Sequence, residues 1–208
     1  MRLHCSFATR DHQTSVGVVR LAGMALAIVA CVSCGNGREP AVGPSPPVQP
    51  PTGTPGPTAP VIASDADLFT LVTQREPFAA YHLFPNADEI TSGTLNGSSA
   101  HRPLVRTSLN ATAFGALQNG KLPAETRFPD GSVVFKEVRT NGGTTVTYAI
   151  MYKSRDSRLA GNGWLWAELN PNGSVGYSIT NQGRACTGCH ALERGPLNDS
   201  VRTFERQR

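Results

Sequence analysis

The sequence feature that most constrains this chain is the string Cys186-Thr187-Gly188-Cys189-His190. Two thiols three positions apart, followed directly by a histidine, form the attachment pattern of a c-type haem. One helical turn holds both sulfurs where they can add to the vinyl groups at the porphyrin edge, and the histidine ligates iron from the proximal side. The pattern therefore predicts one covalent haem c attached to Cys186 and Cys189, with His190 as the metal ligand.

Two other uses of these three residues stay open at the level of the sequence. The cysteines could form a local disulfide or redox pair, or the trio could bind zinc. Zinc usually takes a fourth ligand from a second Cys/His pair, which this sequence lacks, and a redox pair does not require His190. Haem attachment uses all three residues, and we adopt it as the prediction.

Residues 1–34 have the pattern of an export signal. Three arginines precede or flank an apolar run from Leu21 to Val32, which is shorter than the about 20 residues needed to cross a bilayer. The end of this run resembles a bacterial lipobox, in which Cys31 or, in an overlapping frame, Cys34 carries the lipid. A plain secretory signal cleaved nearby is the alternative. We expect an exported, periplasmic protein that is tethered to the membrane by a lipidated Cys31 or Cys34.

Residues 35–61 are predicted to form a proline-rich linker. Nine of the 16 prolines fall between Pro40 and Pro60. Such a segment cannot bury enough apolar surface to fold, and it acts as a semi-rigid spacer.

Charge and cysteine content exclude two classes of protein. The formal charge is +4, but residues 1–34 contain three arginines and one aspartate, so the remainder carries +2. No basic run with interleaved aromatic residues occurs, and nucleic-acid binding has no support. Of the five cysteines, only Cys186 and Cys189 lie in residues 62–208, which excludes a disulfide scaffold.

Residues 62–208 are predicted to form the haem domain. Helices are expected from Ser64 to Gln74 and from Ala111 to Asn119. Asn110 is expected to cap the second helix, in which Phe114 faces inward. Turn signals and β-branched residues predict strands at Leu104–Leu109, Ser132–Thr140, Thr144–Lys153, Gly163–Leu169 and Ser174–Ile179. The motif and a polar tail follow. The predicted class is α+β and β-rich: an antiparallel sheet domain with short helices and a C-terminal c-type haem attachment helix.

The string from Arg127 to Glu137, Arg-Phe-Pro-Asp-Gly-Ser-Val-Val-Phe-Lys-Glu, resembles the signature strand of the cytochrome P-460 family, which includes the β-type cytochromes c′. Further matching segments occur in the same order, at Arg106-Thr107, Met151-Tyr152-Lys153, Gly163-Trp164 and the Cys-x-x-Cys-His motif. The resemblance implies a five-coordinate haem in an antiparallel sheet domain that often forms a homodimer. It also implies either hydroxylamine oxidation with a lysine–porphyrin cross-link, or binding of nitric oxide or carbon monoxide without one.

The resemblance assigns Lys136 to the cross-linking position and makes Arg106 a hydrogen-bond donor in the pocket. From the residues alone, Lys136 shares a strand face with Val134 and Val138. Burial there would lower its pKa and leave a nucleophilic amine. A solvated lysine paired with a neighbouring glutamate is the alternative.

Three more residues are candidates for the distal pocket. Glu168 is a candidate proton acceptor, because oxidation of N–H bonds releases protons near the iron. Phe135 or Phe128 is expected to wall the pocket and exclude water.

The remaining histidines and the single methionine of residues 62–208 are weaker candidates. Met151 as a sixth iron ligand would make the protein an electron carrier, whereas a methionine on a strand is more often part of the core. His82 and His101 are expected to be surface residues.

Three functions remain in view. The first is a haem enzyme that oxidises hydroxylamine or nitric oxide at an open iron site and passes electrons to a redox partner protein. The second is a protein that binds nitric oxide or carbon monoxide without turnover. The third is a periplasmic electron carrier with a six-coordinate haem.

Overall fold

The computed structural model describes residues 59–208. These residues form an antiparallel sheet of seven strands surrounded by short helical segments, so the fold is β-rich α+β. The predicted export signal, the predicted lipidation site at Cys31 or Cys34 and the predicted linker up to residue 58 lie outside the described residues. Across 59–208, no helix has the length and apolar character needed to cross a membrane.

The sheet has the strand order β1-β3-β4-β5-β6-β7, and β2 pairs with the same strand as β1. Its strands are β1 (His82–Leu83), β2 (Thr91–Ser92), β3 (Leu104–Leu109), β4 (Val133–Arg139), β5 (Thr145–Lys153), β6 (Trp164–Leu169) and β7 (Val175–Tyr177). A tight turn joins β4 to β5, and another joins β6 to β7. In the first, at Asn141-Gly142-Gly143, Gly143 has a φ of 84°, which glycine adopts without strain. The five strands predicted from the sequence are confirmed with ends within two residues.

Within residues 59–208, three short α-helices and several single turns surround the sheet. The α-helices are α1 (Asp65–Thr70), α2 (Ala111–Gly115) and α3 (Thr187–His190). The single turns are a π turn at Leu71–Arg75 and 3-10 turns at Phe78–Ala80, Ile179–Asn181, Pro196–Asn198 and Arg202–Arg206. The predicted caps are confirmed: the side chain of Ser64 accepts from the Asp67 amide, and that of Asn110 accepts from the Ala113 amide.

Side chains alternate across the sheet, so each face supports its own core cluster. The first core cluster lies under α1 and contains Leu68, Leu71, Val72, Val133, Phe135, Ile150, Tyr152, Leu165, Ala167, Leu169 and Ile179, together with Ile62. The second core cluster covers the other face and contains Phe84, Leu109, Ala113, Leu122, Phe128, Val134, Met151, Trp164, Trp166 and Val201. Cys186 packs against the second core cluster, which therefore supports the motif.

One sequence-based expectation about burial is wrong. Phe114 does not face inward: it is 38% exposed and stacks on His82 with ring centroids 4.2 Å apart. The polar tail after the motif folds back onto the domain. Val201 is 1% exposed and Arg202 is 5% exposed, and hydrogen bonds join the end of this segment to β2 and to the loop after β1.

Candidate functional site

The motif lies on the short helix α3, directly after a tight turn against β6. The amides of Cys186 and Thr187 both donate to the carbonyl of Gly183 at 2.8 Å, and the His190 amide donates to the Cys186 carbonyl at 3.0 Å. Gly183 has a φ of 67°, and a Cβ there would lie 2.3 Å from the Trp166 ring. Only glycine allows this close approach of the turn to the sheet.

The imidazole of His190 is held by one hydrogen bond and one aromatic contact. Nδ1 lies 2.7 Å from the carbonyl oxygen of Ser200, so Nδ1 carries the hydrogen and Nε2 is left as the free nitrogen. The edge of the ring meets Trp166, with centroids 4.7 Å apart and an interplanar angle of 73°. Burial, with the charge of Lys136 adding to it, lowers the pKa of His190 to about 3, so the ring is neutral.

Cys186 and Cys189 both carry free, half-buried thiols one helical turn apart. Burial, followed by the nearby carboxylate of Glu168, raises the pKa of Cys186 to about 11. The guanidinium of Arg202 lies 3.3 Å from both the sulfur and the carbonyl oxygen of Cys189, and it pairs with Glu205. Arg202 thus contacts the thiol of Cys189, while Cys186 packs against the second core cluster.

A row of side chains crosses the sheet on the same face as the motif. Register pairs Lys136 with Ala149 and Ala149 with Glu168, so these residues stand side by side on three strands. His101, from the loop before β3, joins the two ends of this row. Its Nδ1 lies 3.4 Å from Nζ of Lys136, and its Nε2 lies 3.5 Å from a carboxylate oxygen of Glu168. Between the amine and the carboxylate the row itself has only the small side chain of Ala149, which leaves space for the imidazole.

The amine of Lys136 has no carboxylate within ion-pair distance among the described residues. Burial lowers its pKa to about 8, and the positive charge of Arg206 contributes in the same direction. Burial and the charge of Lys136 also lower the pKa of His101. At neutral pH roughly one Lys136 amine in ten is therefore uncharged, which is far more than for a solvated lysine.

The surroundings of this row and the motif are rich in cations. Arg206 donates to the hydroxyl of Thr91 and the carbonyl of Thr94, and burial lowers the pKa of its guanidinium. In residues 59–208 no carboxylate lies within ion-pair distance of Arg206. Glu205 is paired with Arg202 and acts on Arg206 only through its charge at longer range. A group with negative charge would be stabilised in this region.

The structure brings only part of the predicted site together. Lys136, Glu168 and the motif share one face, and Met151 and Phe128 lie in the second core cluster on that face. Phe135 is in the first core cluster on the other face, stacked on Phe78 at 4.5 Å.

Arg106 also lies away from the motif, which corrects the expectation that it donates in the pocket. It is paired with Glu137 in the strand register and contacts Glu137 at 3.1 Å and Glu89 at 3.0 Å. The guanidinium of Arg106 is therefore already paired with two carboxylates, on the face of the sheet that carries Phe135.

Sequence reasoning placed His101 on the surface and overlooked Ser200 altogether. The side chain of His101 is 21% exposed and lies between two charged groups, so the surface assignment is wrong. One sequence signal indicates this position: His101 lies just before β3, and β3 pairs with the strand that carries Lys136. No sequence pattern marks Ser200, because it acts through its backbone carbonyl. His82 does lie at the surface, as expected.

Comparison with known proteins leaves the site to be interpreted from its own geometry. No model of a known protein family matches the chain, and no curated protein matches it. Among residues 59–208, no group of three or more His, Cys, Asp or Glu side chains is placed to hold a metal ion.

Proposed function

We propose that the protein is a c-type cytochrome that carries one haem, bound through Cys186 and Cys189, with His190 as the proximal iron ligand. The observation that carries this proposal is the hydrogen bond from Nδ1 of His190 to the carbonyl of Ser200 at 2.7 Å. It fixes a neutral imidazole with Nε2 as the free nitrogen, which is the form that ligates iron. Two free thiols on the same helical turn complete the set of groups that attachment requires.

The charges around the motif support the same proposal. Haem carries two propionate groups, and Arg206 supplies a partly buried guanidinium without a carboxylate partner in the described region. Lys136 adds a second cation on the same face. A zinc site finds no such support, because it would not require cations around it.

We propose more specifically that the iron is open on its distal side and that the protein oxidises or binds small nitrogen species such as hydroxylamine and nitric oxide. Iron in haem supplies the redox chemistry when the group is bound. The residues of this chain would hold and move the protons: Nζ of Lys136, the imidazole of His101 and the carboxylate of Glu168 form a continuous path. Glu168 is 38% exposed on its side chain and can pass a proton to solvent.

Lys136 has the properties needed for the cross-link that the P-460 resemblance implies. Its side chain is partly buried, its pKa is lowered to about 8, and His101 can accept a hydrogen bond from it. A neutral amine is the nucleophilic form, so the bond to the porphyrin edge is part of this proposal. The new N–C bond would replace one N–H bond of Lys136 and one C–H bond of the ring, and the two electrons and two protons released would pass to an external peroxide, which is reduced to water. Export to the periplasm, a lipid anchor at Cys31 or Cys34, a redox partner protein and a homodimer complete it.

The absorption spectrum of the reduced protein, made with a competent haem-maturation system, tests these proposals. A c-type haem with a strongly red-shifted Soret band is expected for the cross-linked, open-site enzyme. A normal high-spin spectrum that changes with nitric oxide indicates the gas-binding alternative. Sharp low-spin α and β bands indicate the electron carrier with Met151 as a sixth ligand. A colourless protein would contradict haem binding itself.

A pair of variants at Lys136 separates the cross-link from its charge. Lys136→Ala is expected to return the Soret band to the position of an ordinary c-type haem and to abolish hydroxylamine turnover. Lys136→Arg keeps a cation but cannot form the same bond, and it should give the same spectrum as Lys136→Ala. An unchanged spectrum with persisting turnover in both variants would refute the role of Lys136.

A further inference from the structure

The carbonyl that orients His190 belongs to a turn whose backbone is unfavourable on its own. Asp199 and Ser200 have φ values of 50° and 68°, so two successive residues other than glycine lie in the left-handed region. Such residues need support from their surroundings to keep this conformation. This turn also lines an open cleft, together with Arg127, Asn162, Ala191 and Pro196.

Three hydrogen bonds to Asp199 supply that support, and the exposed guanidinium of Arg127 adds a longer ion pair at 4.0 Å. Nζ of Lys153 donates to the carboxylate at 2.9 Å, and the Phe128 amide donates to the same carboxylate at 3.0 Å. The indole nitrogen of Trp164 donates to the backbone carbonyl of Asp199 at 2.8 Å. Lys153 is 2% exposed and Asp199 is 5% exposed, so this ion pair lies inside the protein.

The ion pair between Lys153 and Asp199 lies where the sheet meets the turn. Lys153 ends β5 and Trp164 begins β6, and the two residues are paired in the sheet register. The amine also lies 4.7 Å from the centre of the Trp164 ring. Sheet and turn are thus joined at one point, one residue before the carbonyl that receives the hydrogen bond from His190.

We propose that Lys153, Asp199 and Trp164 form a clamp that positions the proximal ligand: it holds the Ser200 carbonyl against Nδ1 of His190 and thereby sets the electron donation of His190 to haem iron. This inference rests on the proposed haem attachment. A firm Nδ1–H···O=C bond makes the imidazole a stronger donor, which favours ferric over ferrous iron. The three residues act through Ser200 and His190, and they are positioning residues.

The experiment uses the full haem-containing protein and measures the midpoint potential and the Fe–His stretching band of the ferrous form by resonance Raman spectroscopy. Lys153→Met removes the buried cation that pairs with Asp199 and leaves the Phe128 amide and the longer contact of Arg127. Trp164→Phe removes the donor to the backbone carbonyl of Asp199. Both variants are expected to raise the midpoint potential and to lower the frequency of the Fe–His band. Lys153→Arg retains a cation for Asp199 and should lie closer to the native protein in both measurements.

Arg155→Met is the matched control, because Arg155 lies two residues beyond Lys153 and forms an exposed ion pair with Asp130. It should leave potential and band unchanged. Native values in Lys153→Met and Trp164→Phe at full haem content would overturn the clamp and leave haem binding intact. A native protein without covalent haem would overturn both the proposed function and the clamp.

Discussion

Asn110 connects three parts of the fold through one buried side chain, and replacing it by alanine should be among the most damaging single changes. The residue is 2% exposed. Its Oδ1 accepts from the amides of Ala113 at 3.0 Å and Val133 at 2.9 Å. Its Nδ2 donates to the carbonyl of Gly131 at 2.9 Å and to Glu76 at 3.0 Å.

The expected cost follows from these four hydrogen bonds. Loss of the helix cap alone costs about 1 kcal/mol. The Val133 amide and the Gly131 carbonyl then lose a partner at a buried position, each at about 1–3 kcal/mol. Glu76 is half-buried, so water can replace Asn110 as its partner, and the loss of this hydrogen bond adds little. We expect Asn110→Ala to lower the free energy of unfolding by about 3–7 kcal/mol.

Ser64→Ala is the matched control for the capping part of this effect. Ser64 caps α1 with one hydrogen bond, to the Asp67 amide at 3.1 Å, at an exposed position. Its replacement should cost about 1 kcal/mol. Guanidinium denaturation of both variants, followed by far-ultraviolet circular dichroism, gives the two free energies. Equal losses in the two variants would refute the reasoning, because the bonds of Asn110 to Gly131 and Val133 would then contribute nothing.

Three further outcomes follow from the structure. Burial raises the pKa of Tyr152 to about 12, so the free energy of unfolding should fall by up to about 2 kcal/mol as pH rises from 10 to 12. Tyr152→Phe should reduce this slope when denaturation is measured against pH. An identical slope in the variant would contradict the assignment to Tyr152. His101→Phe breaks the proton path and should lower hydroxylamine oxidation by about tenfold or more in steady-state assays; a native rate excludes the relay. Arg155→Ala removes an exposed ion pair and should change the free energy of unfolding by less than about 1 kcal/mol, with any larger loss on denaturation arguing against a solvent-screened pair.

Local sequence signals predicted the strands and their turns well. The hairpin between β4 and β5 follows from Asn141-Gly142-Gly143, since few other residues allow the backbone of such a turn. The cap at Asn110 follows from the side chain's ability to accept from an amide three positions on. These signals depend on neighbours in the chain, which a sequence shows directly.

Contacts across the sheet could not be predicted in the same way. Arg106 and Lys136 lie on adjacent strands, yet their side chains leave opposite faces of the sheet, because the register pairs Arg106 with Glu137. A shift of one residue would have brought both together. The position of His101 depends on the same register. The very short strands β1 and β2 are too brief to leave a periodic pattern in the sequence.

The order of segments along the chain sets the order in which the molecule can be completed. All seven strands precede residue 178, whereas Ser200 and Arg202, which orient His190 and Cys189, follow the motif. A nascent chain can therefore finish its sheet while the cysteines and the histidine are still unrestrained. The orientation of His190 becomes final only when residues 199–206 dock, and an affinity tag or deletion at that end would disturb the proposed haem site before it disturbed the sheet.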